Sequence, residues 1–252
     1  MKLSGSLLLC SIFLFSCLYS YSQDLSAREI VQRANDKANG NTSQGIMKMS
    51  IVRPDWSREV TMKTWSKGTE FYLIYITEPA RDKGQVFMKR GQDMWNWMPG
   101  INRMIKLPPS MMGQSWMGSD FTNDDLVRMN SIIDDFTHEI TGSEKVEGYD
   151  CYIIELIPKP EAAVVWGKIK LWISKGEYYE LKGEYYDEDG LLVNKMASSN
   201  IKQMGDRKLP ARMVMVPFDK PGNQTILEMV DVVFNKPIDD DFFSQQNMKN
   251  VK

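Results

Sequence analysis

Most of the chain after residue 44 alternates apolar and polar residues with a period of two, and this alternation constrains its fold more than any other feature. In the first such segment Met47, Met49 and Ile51 share one face, and the residues between them are polar. Because successive side chains of a strand point to opposite faces, the pattern predicts half-buried β-strands. About eleven such strands joined by short turns predict an antiparallel sheet, which curls at that size and acquires a concave face.

A few helices accompany the predicted sheet. Residues 26–39 are expected to form the first, because Ser26 can cap its start and Glu29 stands at capping-box spacing. Residues 123–134 are expected to form the second, since acidic side chains at its start suit the helix dipole. Residues 239–243 are expected to begin a short terminal helix. The predicted fold class is therefore mainly β with a few helices.

The first 22 residues are expected to be a secretory signal peptide. Lys2 supplies a positive charge ahead of an apolar run over residues 7–19, and that run is short for a membrane span. Beyond this leader the sequence shows no internal boundary and no repeat. Residues 23–252 are therefore predicted to form a single domain.

Two ways of processing the leader are open from the sequence. Ser20 and Ser22 place small residues where signal peptidase reads them, so cleavage before Gln23 would release a soluble protein. Residues 14–17 instead loosely resemble a lipobox, in which Cys17 would carry the lipid anchor.

Charge and composition exclude several kinds of function. The chain has 31 basic and 33 acidic side chains, whereas a nucleic-acid-binding protein normally has a basic surplus. His138 is the one histidine, so no site can contain two imidazoles. A hydrolase that uses Asp120, His138 or Cys151 is conceivable, but no nucleophile motif or metal-ligand spacing surrounds these residues. We expect no catalytic residue, no metal site and no cofactor.

Methionine is unusually frequent, with 18 in 252 residues, and it clusters with tryptophan between residues 94 and 117. Methionine is flexible and polarizable, so such a cluster suits either an adaptable apolar binding surface or an irregular core. The sequence favours neither alternative by itself. Residues 108–118 are rich in proline and glycine and lack periodicity, which is typical of a mobile flap over a cavity.

Alternation and the flap hypothesis together assign a set of apolar side chains to a cavity for acyl chains. The set is Met47, Met49, Met62, Leu73, Met88, Met94, Met98, Met104, Met112, Trp116 and Phe121.

Two stretches of sequence carry a family resemblance. The first contains Met94-Trp-Asn-Trp-Met-Pro99, and the second is Trp116-Met-Gly-Ser-Asp-Phe-Thr-Asn-Asp-Asp-Leu126. These motifs, with the order of elements over residues 25–248, resemble the LolA-like outer-membrane lipoprotein-sorting family of Gram-negative bacteria. The resemblance implies an incomplete, half β-barrel whose concave face is covered by helices and a flap, and a cavity that takes acyl chains.

The resemblance also implies a function and partners. The protein would be a periplasmic carrier that shields the acyl chains of lipoproteins or lipids between the inner and outer membranes, without covalent chemistry. An inner-membrane transporter and an outer-membrane receptor would be its partners, and a monomer is expected. An alternative is an envelope interaction or sensor module with the same fold and a packed core.

Overall fold

The computed structural model describes residues 25–128, 131–162 and 164–252, so the predicted signal peptide lies outside the described residues. Among the described residues the structure has three α-helices, thirteen strands and several 3₁₀ turns. In chain order the helices and strands are α1 (Ala27–Asn39), β1 (Thr42–Val52), β2 (Ser57–Lys67), β3 (Phe71–Glu78), β4 (Val86–Arg90), β5 (Asp93–Met98), β6 (Arg103–Lys106), α2 (Asn123–Arg128), β7 (Phe136–Val146), β8 (Tyr149–Pro158), β9 (Lys168–Ser174), β10 (Glu180–Tyr186), β11 (Leu192–Met204), β12 (Arg207–Pro217), β13 (Gln224–Phe234) and α3 (Gln245–Met248).

All thirteen strands belong to one antiparallel sheet. Their order is β6-β5-β4-β3-β2-β1-β13-β12-β11-β10-β9-β8-β7, so β6 and β7 form its edges and the sheet is not closed. Two meanders, β1 to β6 and β7 to β13, meet where β1 pairs with β13. The sequence prediction of a mainly antiparallel fold is confirmed, but its count of about eleven strands was too low.

Helix α1 covers the concave face of this sheet. The side chain of Ser26 accepts a hydrogen bond from the Glu29 amide, and the Glu29 carboxylate accepts one from the Ser26 amide, so the predicted capping box is present. Ile30, Val31 and Ala34 are buried on the inner side of the helix. Because α1 packs against β7 and β9, it holds these apolar side chains over the sheet.

The other two predicted helices each consist of a short α-helix and a 3₁₀ turn. The second ends its α-helical part at Arg128, and a 3₁₀ turn, Ser131–Ile133, follows. The terminal segment forms a 3₁₀ turn at Asp240–Phe242 and then α3. In the described part of the chain, no helix has the length and apolar character needed to cross a membrane.

Two apolar clusters fill opposite faces of the first meander. We call the one on the concave face the methionine core; its buried members are Met49, Ile51, Val60, Met62, Ile74, Ile76, Phe87, Met94, Leu107, Trp116 and Leu126. We call the one on the other face the outer cluster; its buried members are Leu73, Val86, Met88, Trp97, Ile238, Phe243 and Met248. The C-terminal segment therefore covers the convex face, because the last three of these residues follow β13.

The backbone just before β9 lies very close to the backbone that follows β10. A Cβ added at Gly167 would lie 2.3 Å from the carbonyl oxygen of Asp187 and 2.8 Å from the Cα of Glu188. The Gly167 amide also donates a hydrogen bond to the Tyr186 carbonyl. Only glycine fits this position, and it places the neighbouring Trp166 against the interior of the sheet.

We expect Gly167→Ala to lower the free energy of unfolding by about 1–3 kcal/mol, because the added methyl group forces backbone apart. Urea unfolding measures this difference. Gly142→Ala is the matched control, since its Cβ would meet only Ile153 Cδ1 at an ordinary 3.7 Å. Equal stability of the two variants would contradict the proposed crowding at Gly167.

Candidate ligand-binding cavity

An elongated cavity of about 290 Å³ lies between helix α1 and the concave face of the sheet. Its volume is at the lower end of the range of small-molecule sites, roughly 300–1,000 Å³. Both meanders contribute to one wall, which shows that the sheet curves around this space. The principal apolar lining residues are Val31, Ala34, Ala38, Ile46, Met47, Phe71, Phe121, Leu126, Val164, Trp166, Ile169, Leu171, Ile173, Leu209, Ala211, Met213, Met215, Leu227, Met229 and Val232.

The helical wall of the cavity consists of small and branched side chains. Val31, Ala34 and Ala38 recur at the spacing that places residues on one side of a helix. Alanine at two of these positions leaves space between α1 and the sheet that larger residues would fill.

The strand wall is centred on the pairing of β1 with β13. Met47 lies opposite Met229 in this pair, and both line the cavity. Met213 and Met215 on β12 extend the same wall. Because methionine is unbranched, this wall can adapt its shape to a bound chain.

A short segment that we call the lid, residues 116–126, covers one side of the cavity. Phe121, Asp124, Asp125 and Leu126 of the lid line the space. Phe121 packs with Met196 and Met215 in a small apolar cluster, which joins the lid to the strand wall.

Asp125 ties the lid to the cavity wall. Its carboxylate accepts hydrogen bonds from the Thr122 amide at 2.7 Å and from Trp166 Nε1 at 2.8 Å, and its own amide donates to Thr122 Oγ1. The reciprocal bonds with Thr122 form a cap at the start of α2. Burial raises the pKa of Asp125 to about 6, and the hydrogen bonds from Thr122 and Trp166 oppose that rise.

A second network fixes the start of the lid to the end of the sheet. Arg53 donates hydrogen bonds to the Asp120 carboxylate at 3.1 Å and to the Gly118 carbonyl at 2.8 Å. Thr225 on β13 donates to the same carboxylate at 2.7 Å and accepts from the Asp120 amide. The Arg53 and Asp120 side chains are only 13% and 7% exposed, so this ion pair is largely shielded from water.

Glu180 is an acidic group on the wall of an otherwise mostly apolar cavity. It is the first residue of β10, lies opposite Ile173 of β9, and is partly exposed because it lines the open space. Its carboxyl group makes no hydrogen bond or ion pair with any described side chain. Burial raises the pKa of its carboxyl group to about 7.

The charged groups around Glu180 are engaged elsewhere. On α1, Lys37 pairs with Glu177, and Arg33 donates to the Tyr178 hydroxyl. On β12, Arg212 pairs with Glu228. On β4, Lys89 donates to the Thr69 carbonyl. On β10 itself, burial followed by the charge of Glu180 raises the pKa of Tyr185.

The residues predicted from the sequence to form the cavity divide into three groups. Met47 and Phe121 line it. Met49, Met62, Met94 and Trp116 are buried in the adjacent methionine core, against which Met112 packs.

The remaining predicted residues lie away from the cavity wall. Leu73 and Met88 belong to the outer cluster on the convex face, and Met104 packs against it. Met98 is half-buried at the end of β5. Alternation reveals which residues share a face of a strand, but it does not reveal which face is concave.

The predicted flap, residues 108–118, is also displaced from the cavity. None of its residues lines the space, which is covered instead by the later part of the lid. Trp116 is buried in the methionine core, and Arg58 donates a hydrogen bond to the Met117 carbonyl. The sequence therefore placed the cover of the cavity one short segment too early.

Sequence reasoning missed most of the cavity wall. Met213, Met215 and Met229 line the cavity but lie outside the dense cluster of methionines between residues 94 and 117, on which the flap hypothesis rests. The period-two spacing of Ala211, Met213 and Met215 was the available signal. Nothing in the sequence marks Glu180 as facing a cavity.

The three candidate hydrolase residues occupy separate environments. Asp120 is bonded to Arg53 and Thr225, and His138 Nε2 lies 2.8 Å from the Ile132 carbonyl. Cys151 is buried in an apolar cluster with Trp172 and Tyr179, and burial raises the pKa of its thiol. Within the described ranges, no group of three or more acidic, histidine or cysteine side chains could hold a metal ion.

Solved structures share this architecture. A LolA superfamily protein from Nitrosomonas europaea is 24% identical, has a TM-score of 0.77, and covers 89% of this chain and 100% of its own. An outer membrane lipoprotein-sorting protein domain from Vibrio parahaemolyticus is 23% identical, has a TM-score of 0.79, and covers 88% of this chain and 98% of its own. A DUF1329 family protein from Desulfovibrio piger is 23% identical, has a TM-score of 0.80, and covers 88% of this chain and 97% of its own. The fold is therefore that of the lipoprotein-sorting, carrier-type proteins.

A family model also matches the chain. It matches residues 68–250, more than half of the chain, and describes an uncharacterized protein. The chain belongs to the family of this model, and it shares the fold of the LolA-like structures. No curated protein matches the sequence.

We expect Asp125→Ala to lower the free energy of unfolding by about 1–3 kcal/mol, because Trp166 Nε1 loses its acceptor and α2 loses its cap. Asp125→Asn keeps an acceptor oxygen for Trp166 and removes the buried charge, so it should cost less. Urea unfolding followed by tryptophan fluorescence compares the two. An Asp125→Ala protein as stable as the parent would show that these bonds do not hold the lid.

A second prediction concerns pH. The folded-state pKa of Glu180, about 7, exceeds its ordinary value of 4.5, so the folded protein loses stability as pH rises from about 4.5 to about 7. Glu180→Gln removes this loss. The variant should match the parent at pH 4.5 and be more stable at pH 8, by on the order of 2 kcal/mol.

Unfolding of lipid-free protein across this pH range measures the effect. If the Glu180 carboxylate had a cationic partner instead, the glutamine variant would be the less stable protein at pH 8. A stability difference that does not change with pH would contradict the raised pKa.

Proposed function

We propose that the protein is a periplasmic carrier that encloses an acyl chain in the cavity between α1 and the sheet. It would shield the chain during transfer between the inner and outer membranes and make or break no covalent bond. The observation that carries the proposal is the cavity itself, a mostly apolar space that the described side chains leave open. The fold shared with lipoprotein-sorting proteins supports the same function.

Burial of hydrocarbon supplies the binding energy for such a ligand. Each methylene group removed from water contributes about 0.8 kcal/mol, so about twelve enclosed groups could contribute on the order of 10 kcal/mol. The volume of about 290 Å³ suits part of one chain or a single short chain. A cargo with several chains would require α1 or the lid to move outward.

The cavity also has features that favour release. Methionine side chains on β1, β12 and β13 can take several shapes, so they enclose a chain without fitting one ligand tightly. The lid is attached by the Asp125 bonds to Thr122 and Trp166 and by the Arg53 network. Loss of these polar contacts at a membrane or a receptor would open the space.

The partners follow from this role and belong to the proposal. An inner-membrane transporter would donate the lipoprotein or lipid, and an outer-membrane receptor would accept it. The carrier would act as a monomer, reaching the periplasm after removal of residues 1–22 or remaining anchored there through Cys17.

The sensor-module alternative predicts a core that is too full for a ligand. The methionine core is packed in this way, but the space between α1 and β12 is not. The hydrolase alternative requires acid, base and nucleophile in one place, whereas Asp120, His138 and Cys151 lie in three. The carrier function therefore has the stronger support.

Filling the cavity tests the proposal. Met213→Trp places a larger, stiffer side chain on the strand wall, so it should reduce the acyl-containing lipid that co-purifies from the periplasm several-fold. Lipid extracted from purified protein and quantified by mass spectrometry, per mole of protein, measures the loss. Val216→Trp is the matched control, because Val216 lies on the same strand and is 39% exposed outside the cavity.

Retention of bound lipid by the control and its loss from Met213→Trp would support the proposal. Absence of acyl species from the parent protein, together with no uptake of an added aliphatic ligand, would contradict it.

A further inference from the structure

We propose that the cavity binds an aliphatic ligand whose polar end is a primary ammonium group, and that Glu180 binds that end. This inference rests on the proposed function and specifies the ligand class. It follows from the placement of one acidic side chain in the cavity that no described residue neutralises.

The position of Glu180 suits recognition of a ligand head. Its neighbours in the cavity wall include Ile173 on the paired strand and the ring of Tyr185. An alkyl tail that extends from Glu180 toward α1 and β12 would contact Val31, Ala34 and Ala211. The site thus combines a carboxyl group that no described side chain pairs with and mostly apolar walls, which is the pattern of an amphiphile-binding pocket.

Leaving this carboxylate unpaired is costly. A charge in apolar surroundings requires an opposite charge or hydrogen-bond donors, and otherwise the group takes up a proton. Burial raises the pKa of Glu180 to about 7, which is the response of a carboxyl group without such a partner. An ammonium group would supply both the charge and the donors.

The cations described on the cavity wall do not supply them. Lys37 is paired with Glu177, Arg212 with Glu228, and Lys89 donates to the Thr69 carbonyl. The partner of Glu180 is therefore expected to come from the ligand.

The position of Glu180 predicts the order of affinity for different polar end groups of a ligand. An alkylammonium is compact and has three donors, so it can bond to the carboxylate while its chain stays in the cavity. A hydroxyl offers one neutral donor and is expected to bind less tightly. A fatty-acid carboxylate would face Glu180 with like charge and is expected to bind least when it enters head first.

Equilibrium dialysis of three ligands with the same chain tests this ranking. 1-Aminododecane, 1-dodecanol and dodecanoate are each dialysed against lipid-free protein at pH 8, where the ammonium and Glu180 are both charged. We expect the amine to bind about tenfold more tightly than the alcohol, as one charge-assisted hydrogen bond would produce. We expect dodecanoate to bind more weakly than the alcohol.

Two variants separate the role of Glu180 from a general charge effect. Glu180→Gln should abolish the preference for the amine over 1-dodecanol, because the amide carries no charge to pair with the ammonium group. Glu184→Gln removes one negative charge from the same strand at a position that does not line the cavity, and it should keep the preference. Thermal unfolding verifies that each variant is folded.

The outcomes distinguish this inference from the proposed function. Equal binding of the amine and the alcohol to the parent protein, or an amine preference that survives Glu180→Gln, would overturn the role of Glu180 and leave the carrier function standing. Failure of all three ligands to bind the parent protein would overturn both.

Discussion

The pairing of β1 with β13 is the interaction on which the rest of the structure depends. It joins the strands that are first and last in chain order, so the two meanders become one curved surface. The pair contains a bulge between Ile46 and Met47, which bends a strand locally. The cavity lies directly over this seam, since residues of both strands line it. Without the pairing, α1 and the lid would have no common wall to cover.

The cover of the cavity is held by polar bonds rather than by apolar packing alone. Asp125 connects the lid to Trp166, just before β9, whereas Asp120 connects it to Arg53 and to Thr225 on β13. One attachment lies beside β9, and the other lies at the seam between β1 and β13, so the lid is fixed to the cavity wall at two places. Weakening of either attachment would therefore act on access to the cavity.

The methionines show why alternation predicts which side chains share a face of a strand but not which of them line the cavity. Met47 lines the cavity, but Met49 and Met62, which follow the same alternation, are buried together with Trp116 in the methionine core. Met88 follows two apolar residues on β4 rather than an alternation, and it belongs to the outer cluster. The pattern fixes the relative orientation of neighbouring side chains, whereas curvature and the path of the lid decide which of them meets open space. Some methionines of this chain therefore form an adaptable surface that lines the cavity, whereas others fill an irregular core.

The sequence by itself determined the local features of this protein. Alternation specified the antiparallel strands, and Ser26 with Glu29 specified the start of α1, because these signals depend only on residues near one another in the chain. The tertiary structure alone decided that β1 meets β13, that residues 121–126 rather than 108–118 cover the cavity, and that Glu180 faces it with no partner among the described side chains. Each of these depends on residues far apart in the chain, and a periodicity of two residues carries no information about such distances.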